Sequence, residues 1–345
     1  MKLSSCDENL ILVDDIVKQD WEFASELSDT TGLKWKIVSC YSNGSIKSKI
    51  NNFKRYIKYF FFPFNIFLKR KQIKNIIAWQ QFYGLIFAFY CELFHVKKTN
   101  RLIVMTFIYK EKHGFVGKIY SAFINRIVNS KYIDKLICFS KNEVKYYSEV
   151  FHLKDKLEYV PLGIEDYRKL IDKVDLDNTA NNEEKQSYFL SVGRSNRDYN
   201  FLINSLQDEE HQIKILSDQL ENKNIGNISI RNNVFRKQYF EQLNNCFAVI
   251  IPLENSNISS GQLVILQAMQ FKKPIIITES NTIREYVTNE KNALIIKKDK
   301  QELLKAMNRL IYDMDLYNKL AKNGYSNFDK KFSLKALAIN IGKLF

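Results

Sequence analysis

The sequence predicts an α/β fold made of two domains, each with a parallel sheet, facing a central cleft. Three observations carry this. The chain has 345 residues, and at roughly 100–200 residues per domain that length fits two. Short apolar runs alternate with amphipathic helical patterns through both halves, as in successive strand–helix units. A polar stretch rich in Asp, Asn and Glu, 166–186, separates the halves.

In the first half, strand-like runs fall at 10–13, 36–40, 73–79, 102–106, 136–140 and 157–160. Helical patterns fit 82–93, 118–129 and 141–151. Ser140, followed three positions on by Glu143, reads as a helix cap. Pro161-Leu162-Gly163 then breaks the alternation. In the second half, strands are expected at 188–192, 213–216, 228–230, 247–251, 274–278 and 293–296. Helices are expected at 199–206, 236–244, 262–270, 282–287 and 300–313. The tail, 314–345, reads as helical with Gly324 interrupting it. The domain reading is 1–165, a linker at 166–186, then 187–325, with 326–345 as a helix crossing back to the first domain.

Composition is that of an ordinary folded protein, 46% hydrophobic and 26% charged. This excludes a disordered chain and a disulfide-stapled miniprotein. The net charge of +14 favours anionic partners. Residues 1–160 hold 26 basic and 15 acidic side chains, so 26 − 15 = +11 of that excess lies in the first half. The five cysteines, Cys6, Cys40, Cys91, Cys138 and Cys246, are scattered, which fits reduced thiols and a cytoplasmic location. The first residues show no signal-peptide pattern.

The longest uncharged run, 75–91, has 17 residues with Gln80 and Gln81 in its middle. A strand, a turn and a buried helix account for it better than a membrane span. The preceding stretch, 46–75, has nine Lys and Arg and no acid, with FKRYIKYFFFPFNIFLKRK at 53–71. Such a segment can lie on an anionic membrane, its aromatic rings at headgroup level. It can equally pack on its own domain or meet nucleic acid. The membrane surface is the expected partner, and nucleic acid is not.

Two loops at strand ends carry the chemistry. SVGRSNRDY, 191–199, follows a buried strand: Gly193 permits close backbone approach, and Arg194 and Arg197 offer forked donors to phosphate oxygens. A helix start there adds unpaired N–H groups. Asp198 reads as a cap or an arginine partner. The second loop runs through Ser259, Ser260 and Gly261 into a helix, with Asn281, Thr282 and Glu285 beyond the next strand. Both loops also read as plain capped turns.

The letters SSGQLVILQAM, FKKPIII and TIREYVTNEKNALII, with GRSNRD upstream, resemble the carboxyl-terminal domain of GT-B glycosyltransferases of the glycogen-synthase or mannosyltransferase kind, glycosyltransferase family 4-like. The resemblance covers about 188–313. It implies two Rossmann-like domains, a nucleotide-diphosphate-sugar donor with UDP the expected nucleotide, and no metal. By position, Gly193, Arg194 and Arg197 would meet the diphosphate. Ser259, Ser260, Gly261 and Gln262 would lie beside the donor sugar or its phosphates, and Gln267, Asn281, Thr282 and Glu285 would line the pocket. The family's two acids, eight positions apart, fall here on Ser259 and Gln267.

The acceptor side is expected in the first half. Trp79-Gln80-Gln81 follows a strand, and Glu111 and His113 follow another. Either could accept the acceptor hydroxyl's proton, as could Asp15, or Asp14 beside it, after the first strand. Arg194 would oppose leaving-group charge. No Asp-x-Asp is present, and His95, His113, His152 and His211 do not pair at metal-ligand spacing. The function this implies is glycosyl transfer to a lipid-linked glycan in cell-surface polysaccharide assembly, by a peripheral enzyme at the inner face of the membrane. A nucleotide-sugar epimerase of the same fold and a non-catalytic polyanion-binding protein are the alternatives.

Overall fold

The computed structural model describes residues 8–18, 20–41, 49–109, 111–171, 188–232, 234, 236–255 and 260–345. The chain divides into two compact units, Met1–Val160 with Leu337–Phe345, and Pro161–Ala336.

The first unit contains β1 (Glu8–Val13), α1 (Glu22–Thr31), β2 (Trp35–Ser39), α2 (Lys49–Leu68), β3 (Ile73–Ala78), α3 (Gln81–Leu93), β4 (Arg101–Val104), α4 (Gly114–Asn129), β5 (Lys135–Cys138), α5 (Lys141–Phe151) and β6 (Leu157–Tyr159). The strands form one sheet in the order β2-β1-β3-β4-β5-β6, and every pair is parallel. Strands covered on both faces read as continuous apolar runs; Leu10, Ile11, Leu12 and Val13 of β1 are all buried. The order reverses between β1 and β3, since the chain steps to β2 on one side and to β3 on the other.

The 17-residue uncharged run divides as its two glutamines require: β3 ends at Ala78 and α3 begins at Gln81. Gln80 caps α3, its side-chain oxygen accepting from the Phe82 N–H at 3.1 Å. Helix α3 lies tight on the sheet at Gly84, where a Cβ would stand 2.7 Å from Val104 Cγ2 and 2.8 Å from Ala78 Cβ. No described helix is long and apolar enough to cross a membrane. Ser140 caps α5 as expected, accepting from the Asn142 N–H at 3.1 Å.

The basic aromatic stretch forms α2. Tyr59, Ile66 and Phe67 face inward with Pro63, while Tyr56, Ile57, Phe60, Phe61 and Leu68 stay exposed. Lys58, Lys69 and Lys71 are exposed, and Arg70 folds over the Phe67 ring at 4.4 Å.

The second unit contains β7 (Tyr188–Val192), α6 (Tyr199–Leu206), β8 (Gln212–Leu216), β9 (Lys223–Ile225), β10 (Ile228–Arg231), α7 (Arg236–Asn245), β11 (Val249–Ile251), α8 (Gln262–Gln270), β12 (Ile275–Thr278), β13 (Leu294–Ile296), α9 (Lys300–Tyr312) and α10 (Met314–Lys331). The last helix, α11 (Leu334–Gly342), begins in the second unit and belongs from Leu337 onward to the first. Its sheet runs β13-β12-β11-β7-β8-β10-β9. All pairs are parallel except β9 with β10. Here the order reverses between β7 and β11.

Three expectations are corrected. Residues 282–287 form turns, not a helix: the N–H groups of Tyr286 and Val287 both donate to the Ile283 carbonyl, at 2.9 and 3.0 Å. Gly324 does not interrupt the tail. α10 runs through it, because the missing side chain lets the helix sit beside Met269, whose Cγ lies 3.3 Å from where a Cβ would be. Hairpin strand β9 has no apolar run and was not expected. The first residues of the 166–186 stretch are packed in the second unit, where Tyr167 stacks on Phe240 with centroids 4.6 Å apart; 172–186 lie outside the described residues. The chain end groups with the first unit, the Phe345 ring meeting Trp35 at 4.9 Å.

Candidate functional site

Ligands of open parallel sheets bind beyond the carboxyl ends of the strands where the strand order reverses. In the second unit that point lies between the ends of β7 and β11, which are followed by the two loops singled out in the sequence. The loops are stitched together. Arg197 and Leu253 form an antiparallel bridge. The Asp198 N–H donates to the Pro252 carbonyl at 2.8 Å. Asn196, in the left-handed region at φ +56°, donates from Nδ2 to the Asn255 carbonyl at 2.9 Å and to Ser260 Oγ at 3.0 Å, and its Oδ1 accepts from the Asn255 N–H at 2.8 Å.

Arg197 is the centre of this arrangement. Its Nε donates to the Val192 carbonyl at 3.2 Å and its Nη1 to the Ser195 carbonyl at 2.9 Å. The guanidinium lies across Gly193 (φ +138°), where a Cβ would come within 2.7 Å of Nε. On its other side, Nη2 is 3.8 Å from the Cβ position of Gly261 (φ +90°). Gly261 is the N-cap of α8 and supplies no side-chain cap. A guanidinium is thus set between two positive-φ glycines, beside a helix start whose first N–H groups favour negative charge. Burial lowers the Arg197 pKa below the usual arginine value. Tyr199, whose hydroxyl donates to the Gly193 carbonyl at 2.7 Å, is pushed up to about 12 by burial.

Arg194 points elsewhere. It is exposed and makes a two-pronged pair with Asp218, just past β8: Nε to Oδ1 at 2.9 Å and Nη2 to Oδ2. Asp198 caps α6, accepting from the Phe201 N–H at 2.9 Å, and its second oxygen meets Lys298, not an arginine, at 3.0 Å. Lys298 also donates to the Glu254 carbonyl at 2.8 Å, so the loop after β13 joins the other two. Next to it lies a cavity of about 360 Å³ lined by Leu253, Glu254, Thr278, Glu279, Ser280, Asn281, Lys297 and Lys298.

The expected residues therefore fall into groups. Gly193, Arg197, Ser260, Gly261 and the start of α8 at Gln262 come together. Asn281 lines the cavity. Thr282 is buried in its own turn, bonded to Ser280. Glu285 is half-buried and does not line the cavity. Gln267 is buried, its side-chain oxygen accepting from the Tyr239 hydroxyl at 2.7 Å. Ser259 lies outside the described residues. Sequence reasoning missed Asn196, Asp218 and Lys298. Asn196 had a signal, Asn being a residue that tolerates positive φ in a turn; Lys298 sat in what reads as a surface charge run.

In the first unit, Asp15 is exposed and bonds the N–H of Ile16 at 2.7 Å. Glu111 and His113 are exposed ahead of α4. With β3 lying between β1 and β4, they project from different strand ends. Among the described residues no group of three or more His, Cys, Asp or Glu is placed to hold a metal ion.

Residues 172–327 match the family described as glycosyl transferases group 1. Among solved structures, the fold is similar to a sucrose-phosphate synthase from Thermosynechococcus elongatus (TM-score 0.67, 14% identity, 98% of each chain). It is also similar to Anabaena HepE in complex with UDP (TM-score 0.67, 11% identity, 98% of this chain and 99% of that one). Two mostly parallel sheets flanked by helices give the chain the GT-B architecture. More narrowly, the match to glycosyl transferases group 1 lies in the second unit, over 172–327. A curated relative, an uncharacterized glycosyltransferase of Methanocaldococcus jannaschii, is 24% identical over 224 residues, 61% of this chain and 59% of that protein's length.

Proposed function

We propose that the protein transfers a sugar from a nucleoside-diphosphate-sugar, with UDP as the nucleotide, to a lipid-linked glycan acceptor during assembly of a cell-surface polysaccharide. The observation that carries the donor half is the Arg197 guanidinium, fixed between Gly193 and Gly261 beside the uncapped start of α8. The UDP complex of HepE, a protein of similar fold, supports the nucleotide. When the bond from anomeric carbon to phosphate oxygen breaks, negative charge grows on the leaving diphosphate. Donors fixed beforehand at that place lower the barrier without reorganising. In this reading Arg197 and the α8 N–H groups meet one phosphate, and Arg194 leaves Asp218 to meet the other.

Asp15, Glu111 and His113 are the candidate groups for the acceptor's proton. The membrane half rests on α2, whose exposed Tyr56, Ile57, Phe60, Phe61 and Leu68 are flanked by exposed Lys58, Lys69 and Lys71. Basic groups near an anionic leaflet contribute about 1 kcal/mol each.

The test is a thermal-shift screen with UDP-, GDP-, CMP- and dTDP-sugars, because a ligand that binds only the folded state raises its apparent stability. A shift with one nucleotide-sugar is expected. No shift with any of them, together with salt-dependent binding of an oligonucleotide, would replace the reading with polyanion binding.

A further inference from the structure

The amino edge of the first sheet, opposite the strand ends, has a cavity of its own. Helices α3 and α4 both finish at that edge, and the chain turns from each into the next strand. The cavity is about 480 Å³, and its lining includes Glu92 from the end of α3, Arg126 from the end of α4, and Lys131 and Tyr132 from the turn after α4. That volume is within the range of ordinary small-molecule sites, roughly 300–1,000 Å³. Tyr132 is buried, and its hydroxyl donates to the Val96 carbonyl at 2.5 Å, which ties the two turns together. Lys156 donates to the Val128 carbonyl at 3.2 Å and to the Ser130 carbonyl at 2.5 Å. The negative end of α4 is thus already met by an ammonium group and does not claim Arg126 or Lys131.

The polar groups of this cavity are only partly spent. Arg126 Nε donates to Glu92 Oε1 at 2.6 Å, and the Arg126 side chain is 69% exposed, so its Nη donors are open to a ligand. Glu92 Oε2 is buried with no hydrogen-bond partner among the described residues. A carboxylate turns readily about its last bond, so a ligand hydroxyl can meet one oxygen while Arg126 keeps the other. Lys131 is exposed, its Nζ 5.3 Å from the centroid of the Tyr132 ring. The acid three residues on, Asp134, is paired with Lys98 at 2.6 Å. The ligand must therefore bring a donor for Glu92 and acceptors for Arg126 and Lys131, best of all anionic ones. A phosphodiester chain has no donor on its phosphates, and a bilayer is too flat to enter a hollow between helix ends. A sugar that carries a carboxylate or phosphate supplies both, through its hydroxyls and its one anionic group.

We infer that this cavity binds an acidic saccharide, with a sugar hydroxyl donating to Glu92 and the anionic group held by Arg126 and Lys131. The same chemistry is offered by a unit within a glycan chain and by a free sugar acid or sugar phosphate. The site stands apart from the strand ends where the reaction is placed: β3 has six residues, and at about 3.3 Å per residue it separates the two edges of the sheet by ~20 Å. The inference is therefore independent of the glycosyl-transfer reading.

The test uses the full chain with UDP in excess, so that sugars are not read at the donor loops. Saturation-transfer NMR follows glucuronic acid, glucose 6-phosphate, glucose and a tetrasaccharide containing glucuronate. Both acidic monosaccharides should bind the parent. Lys131→Met and Glu92→Gln should each weaken them about tenfold, the scale of one hydrogen bond to a charged group, with the urea midpoint and UDP affinity little changed. Glucose should bind about tenfold more weakly than glucuronic acid, for want of the same charge-assisted bond, and should not respond to Lys131→Met. A merely structural role for Lys131 would not produce that selectivity. Tighter binding of the tetrasaccharide than of glucuronic acid assigns the site to a chain, and equal binding assigns it to a free sugar. Failure of both acidic sugars to bind the parent, or parent-like binding by both variants, would overturn the inference. So would displacement of glucose 6-phosphate by an equal concentration of inorganic phosphate, since the cavity would then read the anion alone. Loss of UDP binding with acidic sugars still bound would count against the glycosyl-transfer reading and leave this site in place.

Discussion

Replacing Gly193 with alanine tests how the donor loop is built. The backbone there has φ +138°, and the new Cβ would lie 2.7 Å from Arg197 Nε, 2.8 Å from Nη2 and 2.9 Å from Cζ. Two costs follow. An L side chain in that backbone region costs of order 1–3 kcal/mol. The guanidinium must also leave the carbonyls of Val192 and Ser195; it regains water when it moves out, so about 1 kcal/mol of net hydrogen-bond stability is lost. The expected destabilisation is about 2–4 kcal/mol in urea unfolding. The affinity for UDP should fall about tenfold or more, ~1.4 kcal/mol. The cause is checked by a double-mutant cycle. If the clash with Arg197 matters, Arg197→Ala should relieve part of the cost, giving a coupling of about 1 kcal/mol or more. Strictly additive effects of the two substitutions would refute the idea that Gly193 exists to let the guanidinium lie across it.

Other outcomes follow from the same geometry. Arg194→Ala removes an exposed ion pair, so stability should change by less than about 1 kcal/mol, while steady-state donor turnover falls about 100-fold, the scale of losing one charge-stabilising donor; unchanged kinetics would end its assigned role. Gly84→Ala forces a methyl group against Val104 and Ala78 and should destabilise the first unit by about 1–3 kcal/mol, read as a lower urea midpoint. Neutralising Lys54, Arg55, Lys58, Lys69, Arg70 and Lys71 together should reduce co-sedimentation with vesicles containing anionic lipid, whereas equal binding by variant and parent would remove the membrane claim. Burial pushes the thiols of Cys91 and Cys246 up to about 12 and about 11, and raises that of Cys138 further. Since the thiolate is the reactive form, these three should resist iodoacetamide at pH 8 in the native protein and react once it is unfolded, as mass spectrometry would show.

Much of this architecture was legible because buried parallel strands announce themselves. Runs such as Leu10 to Val13 and Ile275 to Ile277 are short, β-branched or leucine-rich and buried on both faces, as strands covered on both sides require. Two loop glycines were legible for a related reason, since Gly193 and Gly261 mark positive φ, and at Gly193 a Cβ would also collide with the Arg197 guanidinium. What could not be read was partnership across long sequence separations. Asn196 to Ser260, Lys298 to Asp198 and Arg194 to Asp218 all join loops that only the strand order brings together. Residues 282–287 misled because their apolar spacing suits a helix, whereas Ile283, Tyr286 and Val287 are buried from a chain of turns. The hydrogen bonds that the Tyr59 hydroxyl makes, donating to Asp14 and accepting from Gln80, were hidden in the same way: Tyr59 sits inside a basic aromatic stretch whose composition draws attention to its outer face.

The most direct measurement is calorimetric titration of UDP into the parent and into Arg197→Ala. One site on the parent and at least a tenfold loss of affinity on removal of the guanidinium are expected, with the variant still folded by circular dichroism. Equal affinity in the two proteins would contradict a diphosphate held by Arg197.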